Sequence, residues 1–180
     1  MRHRMRGRRL GRNGAHRVAL FRNLSRSIIL TCDRDTAGCA IAEGRIRTTL
    51  EKAKEVRRVL ERLITVAVKA KRSESVASKL ICSHARGSDE WKSWRSSNEG
   101  QIWLQAQSRY IQSRRQLFNV LRSRRVINLL LDKIAPRFMD RPGGYTRVVR
   151  IANRRLADGA RLAYLELVGE ATRLAVTVKS

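Results

Sequence analysis

The stretch TLEKAKEVRRVLERLITVAVK, residues 49–69, decides the fold. Leu50, Ala53, Val56, Leu60, Leu63, Ile64 and Ala67 recur three and four residues apart, so a helix would gather them on one face. Thr48, followed three residues later by Glu51, has the spacing of a capping box and predicts a helix that starts just after it. A helix over 49–69 is therefore the expected centre of the hydrophobic core. Its other face carries Lys52, Lys54, Arg57, Arg58 and Arg62 with Glu51, Glu55 and Glu61 between them, a pattern that suits a salt-bridged solvent face and a polyanion-binding face about equally.

Towards the N-terminus, GRIRTT reads as a short extended approach to this helix, and 31–44 (TCDRDTAGCAIAEG) as a loop. Before that, Asn13 is a helix N-cap, and Leu20, Phe21, Leu24 and Ile28 mark the apolar stripe of a first helix. Towards the C-terminus, 73–112 changes composition. It holds Trp91, Trp94 and Trp103, both of its ends can be helical, and its middle, RGSDEWKSWRSSNEG, reads as a loop. Leu117, Phe118 and Leu121 mark a helical turn or two, and Ser123 opens a further helix that Pro136 closes. The period then changes to two. YTRVVRI (145–151) and RLAYLELV (161–168), with Asp158-Gly159 between them, predict an antiparallel hairpin in which Ala163, Leu165 and Leu167 face the helices. LAVTV in the tail could add a short strand. The expected fold is α/β of the α+β type: one domain over 1–180, a small two-layer arrangement of helices on a short, largely antiparallel sheet, with a basic N-terminal arm.

Charge points to the partner. The 180 residues contain 40 Lys and Arg against 15 Asp and Glu, a formal net charge of +25, which opposes compaction and suits nucleic acid. The arm concentrates it: MRHRMRGRRLGRN packs Arg2, Arg4, Arg6, Arg8, Arg9 and Arg12 around glycines, with no acid before Asp33. Over 1–13 it has too little apolar surface to fold alone, so it is expected to be flexible in isolation and to order on phosphates, which arginine forks grip two oxygens at a time. His3 and His16 lie in this arginine field as phosphate or base-stacking contacts rather than catalysts. No run of apolar residues approaches a bilayer span, and no secretory signal is recognisable, so a membrane partner is not expected. Three cysteines without disulfide spacing fit free thiols and a cytoplasmic location.

Catalytic constellations are missing: no Ser-His-Asp or Cys-His spacing and no acid–base carboxylate pair, so neither an enzyme nor a small-molecule substrate or cofactor is expected. Cys32, Cys39, Cys82 and His84 total four soft ligands, but their spacing matches no zinc knuckle. A more pointed motif is RFMDRPGGYTR, 137–147. Gly143 and Gly144, flanked by Arg141 and Arg147 and followed by Tyr145, form a turn where backbone N–H groups, guanidinium forks and one ring could meet a sugar-phosphate bend; a plain strand-initiating turn is the alternative.

Taken in order, MRHR, GRRLGRNGAHRVALFRNL, GRIRTTLEKAKEVRRVLERLIT and LLLDKIAPRFMDRPGGYTRVVRI with LAYLELV closely resemble the bacterial large-subunit ribosomal protein seventeen family. The resemblance implies a small α/β domain bound to large-subunit ribosomal RNA near the outer rim of the polypeptide exit tunnel, beside other large-subunit proteins. It implies RNA-facing positions at Arg2, His3, Arg4, Arg6, Arg8, Arg9, Arg12, Asn13, His16, Arg17 and Arg22, at Arg45 and Arg47, and at Arg137, Arg141, Gly143, Gly144, Tyr145 and Arg147. The polar face of the 49–69 helix adds Lys52. Three segments depart from the family pattern: 31–43 and 73–112 look like insertions, and the loop NRRLADGARLA differs from the usual link between the last two strands. The larger insertion, with its tryptophans, is expected to extend the contact surface and not the core. The competing class is a sequence-specific DNA-binding regulator that uses the helix pair after Gln116, with the arm in a minor groove. The order of the motifs argues against it.

Overall fold

A long helix and a three-stranded sheet share one core. The computed structural model describes residues 7–33 and 44–169. Arg2, His3, Arg4, Arg6, Cys39, most of the 31–43 segment and the expected LAVTV strand lie outside the described residues. In chain order the elements are α1 (Gly14–Leu30), β1 (Arg45–Thr49), α2 (Leu50–Lys79), α3 (Asp89–Ser96), α4 (Asn98–Leu121), α5 (Arg124–Leu129), β2 (Thr146–Arg154) and β3 (Arg161–Leu167). α5 runs on through a π turn, Leu130–Ile134, and a 3₁₀ turn, Ala135–Phe138. Pro136 explains the change of pitch: it has no N–H to give to the carbonyl four residues back, and the Ala135 N–H reaches five residues back to Leu130.

The expected stripe is buried in full, with Leu60 only 1% exposed, and Ile46, Ala163, Leu165 and Leu167 of the sheet join it. Each Leu, Ile or Val among them contributes about 1.5–3 kcal/mol of burial. The sheet is antiparallel in the order β1-β3-β2, with Arg45 opposite Glu166, and Glu166 opposite Arg147. The period-two reading of β3 is correct: Ala163 and Leu165 point to the helices, while Tyr164 lies on the outer face with Arg47 and Val149 as its neighbours.

Two local readings change. Thr48 and Thr49 pair with Ala163 and Leu162, so the ladder holds them as strand and the helix starts at Leu50; Thr49 takes the N-cap position without a side-chain bond, and the Thr48–Glu51 capping box does not form. The loop reading of 86–100 also fails. α2 continues to Lys79, α3 fills the middle of that stretch, and α4 returns along α2. Ser88 accepts from the Trp91 N–H ahead of Asp89 and Glu90, and Ser97 accepts from the Gly100 N–H, so the polar residues that looked like loop chemistry are helix N-caps. Gly100 has no room for a side chain, since a Cβ there would lie 2.3 Å from the Trp94 carbonyl oxygen. At the tip of this α2–α4 hairpin Trp94 meets Trp103 edge-on, with ring centres 5.6 Å apart, and Arg95 lies 5.0 Å over Trp91.

Candidate nucleic-acid interface

The sheet's outer face is built around one buried acid. Glu166, 2% exposed, accepts from Arg45 Nε at 2.8 Å and from Arg147 Nε at 2.7 Å, so a single carboxylate holds the arginines of both flanking strands. Arg45 also lies 4.9 Å over the Tyr164 ring. The two guanidinium groups are thus fixed side by side, each still partly open to solvent. Arg47 is exposed in the next row on the same face. Alternation in the sequence places Glu166 on this face, but only the cross-strand register reveals that it pairs with both arginines.

The arm leads into α1 and lies against α2. Asn13 caps α1 by accepting from the His16 N–H at 2.9 Å, as expected. The Gly7 N–H donates to the buried Glu55 of α2 at 3.3 Å, which lays the start of the described arm on the core helix. Arg12 and Arg17 brace the bend: Arg12 donates to the Leu10 carbonyl and to His16 Nε2, and Arg17 donates to the Arg12 carbonyl. Arg9 is exposed, whereas Arg8 is half-buried with a buried Nη1 that has no hydrogen-bond partner among the described residues. Lys52 is half-buried in the first turn of α2.

In the 137–147 turn, Arg137 and Arg141 are exposed, and Arg141 Nε donates to the Gly143 carbonyl at 3.1 Å. Gly144 has φ +64°, a left-handed conformation that disfavours any side chain, and the space around both glycines is open. Tyr145 departs from expectation. It is 3% exposed and packs 5.2 Å from the Phe138 ring, so its face belongs to the core. Arg22 has a partner within the protein: its Nε donates to the Val120 carbonyl at 2.8 Å, while Arg26 reaches the Leu121 and Arg122 carbonyls, so both arginines close the C-terminal end of α4. Spacing located these side chains on α1 but could not show that a helix end from a distant part of the chain would meet them.

The weak zinc candidates are not brought together. Cys32 is buried at the end of α1, whereas Cys82 and His84 sit at the hairpin tip, with His84 Nδ1 2.7 Å from Glu90. Among the described residues no cluster of His, Cys, Asp and Glu suits a metal ion, and no helix is long and apolar enough to cross a membrane. Asp33, next to Cys32, is buried and accepts from Arg125 at 2.9 Å and Lys133 at 3.2 Å. These hydrogen bonds, that to Arg125 first, hold its carboxyl below the usual carboxylate range.

The family model described as ribosomal protein L17 matches residues 34–168. The chain belongs to the L17 family of ribosomal proteins. Among its relatives, the large ribosomal subunit protein bL17 of Rhodopirellula baltica is 48% identical over 177 residues, covering 97% of this chain and 84% of that protein. The bL17 protein of Fervidobacterium nodosum is 37% identical over 168 residues, covering 93% of this chain and 99% of its own length. The L17 match runs from before β1 to the end of β3, so it includes the Arg45–Glu166–Arg147 row and the 137–147 turn.

Proposed function

We propose that this chain is a non-enzymatic structural component of the large ribosomal subunit, acting in the cytoplasm, and that it binds large-subunit ribosomal RNA near the rim of the polypeptide exit tunnel, next to other large-subunit proteins. The observation that carries the reading is the clamped pair Arg45 and Arg147. A buried carboxylate fixes two guanidinium groups on one strand row beside a tyrosine ring, the preorganised geometry that phosphate oxygens and a ribose or base face require. Further support comes from the exposed Arg9, Arg47, Arg137 and Arg141 and from relatives named as large-subunit proteins. The arm from Arg2 onward, the outer face of the sheet and the Gly143-Gly144 turn form the contact, on a single domain to which the α2–α4 hairpin is attached.

Sedimentation of a tagged chain from cell lysate tests this. The tagged protein should travel with the large subunit in salt that strips loosely held proteins, and Arg45→Ala combined with Arg147→Ala should shift it towards the free fraction. A chain that stays free, or that co-purifies with DNA, overturns the reading and favours the DNA-binding regulator.

A further inference from the structure

No acidic residue stands between Glu99 and Asp132, a span that takes in most of α4 and all of α5. Six arginines fall within it. Arg125 is held by Asp33, and Arg114 donates to the Tyr110 hydroxyl at 3.1 Å and to Asn128 Oδ1 at 3.0 Å. Arg115 and Arg124 are exposed and have no ion pair among the described residues. They border a groove of about 590 Å³ between α4 and α5, walled by Tyr110, Ile111, Phe118 and Ile127. Phe118 is 43% exposed there, whereas Leu117 and Leu121 are fully buried and Phe118 points the other way.

We propose that this groove is a second RNA site, separate from the arm, sheet and turn, and that it seats one unpaired nucleotide with its base against Phe118 and Tyr110 and its phosphate between Arg115 and Arg124. The proposal rests on the RNA-binding reading above. An unpaired base fits because a duplex keeps its base faces stacked away, whereas a flipped one offers a flat π face that aromatic and guanidinium groups accept. Arg114 prepares the site by fixing the Tyr110 hydroxyl, with its guanidinium carbon 5.7 Å from the ring centre. Charge favours RNA over a neighbouring protein, since no acid lines the groove. Continuity favours it as well: Arg22 and Arg26 tie α1, the helix that follows the arm, to the α4 end of the same corner.

The test places p-benzoylphenylalanine at position 118 of the full tagged chain, assembles it into large subunits in cells, and irradiates the purified subunits. The exposed position lets the probe enter without disturbing the core. A crosslink to a nucleotide outside any duplex of the large-subunit RNA is the expected result. Adding Arg115→Glu with Arg124→Glu should lower its yield about tenfold while the chain still sediments with the subunit. A crosslink to protein or to paired RNA, no crosslink at all, or a yield indifferent to the two charge reversals overturns the proposal. A chain that never reaches the large subunit defeats the RNA-binding reading itself and this site with it, and the sedimentation step separates that outcome from the others.

Discussion

Replacing Glu166 with Gln separates arginine placement from arginine charge. The side chain keeps its size, but one oxygen becomes an NH₂ group facing guanidinium donors, and the charge that offsets Arg45 and Arg147 is gone. Removing one partner from a fully buried ion pair costs about 3–5 kcal/mol, whereas exposed pairs contribute under about 1 kcal/mol. Here the acid is buried at 2% exposure while the arginine side chains are 27% and 44% exposed, so water takes up part of the loss. An intermediate destabilisation of about 2 kcal/mol follows, or about 4–8 °C in Tm for a domain of this size. Thermal unfolding in moderate salt reads this directly. RNA binding gives the sharper result, because Glu166→Gln makes the surface more positive. If net charge alone attracted RNA, the variant would bind more tightly. If the fixed geometry matters, binding should weaken by about three- to tenfold, close to 1 kcal/mol, despite the added charge. An unchanged midpoint, or tighter binding to a large-subunit RNA transcript, refutes the clamp.

Leu60→Ala should cost about 2–5 kcal/mol, since Leu60 sits mid-stripe in the core; a wild-type urea midpoint would show that the site collapses without loss. Gly144→Val places a branched side chain at φ +64° and should weaken RNA binding more than Gly143→Ala, which meets open space without a positive φ; equal effects would leave an ordinary turn. Thr146 is no neutral control, because its hydroxyl donates to Glu61 at 2.8 Å. Asp33 has a lowered folded pKa, so its contribution is present above the unfolded value near 3.8 and is lost as pH falls below it towards the folded pKa. Asp33→Asn should therefore lower Tm at pH 6 and flatten its fall through the acid range, and parallel curves for both proteins would contradict this. Deleting 74–110 and joining the ends with a short Gly-Ser linker should leave a folded, RNA-binding protein, while loss of cooperative unfolding would make the hairpin part of the core.

That last expectation shows what the sequence could and could not disclose. The stripe from Leu50 to Ala67, the Asn13 cap and the alternation of β3 were legible because each is a local pattern with one physical cause. The hairpin beyond them was not. From Ser73 to Lys79 only Val76 and Ala77 are apolar, and the serines there bond back to carbonyls of their own helix, so periodicity gives little warning that the helix continues. The main apolar cluster reaches Ala70 on α2 and resumes at Leu117 on α4; Ala77 and Ala106 are buried outside it. The hairpin therefore extends from a place where the core has already closed. The directions of Tyr145, Arg22 and Phe118 were not legible for another reason. Residue type tells what a side chain can bind, while its direction is set by partners distant in the chain: the Phe138 ring, the carbonyl end of α4 and the α4–α5 groove.

The same distant partners explain how a chain of net charge +25 folds at all. Four of its carboxylates stand at seams between elements. Glu166 joins β3 to β1 and β2, Asp33 joins the end of α1 to α5 and the π turn, Glu61 joins α2 to Thr146 of β2, and Glu55 receives the Gly7 N–H of the arm. Each receives a donor from a distant part of the chain, and burial of Glu166, Asp33 and Glu55 makes those attractions stronger than they would be in water. The same acids scattered over the surface would neutralise the field that draws in a polyanion. Placed at the junctions, they stabilise them and leave Arg9, Arg47, Arg137 and Arg141 exposed and the α4–α5 corner without an acid in its lining. Fold and recognition thus rest on the same carboxylates, and for that reason removing Glu166 is expected to weaken both stability and binding while raising the positive charge.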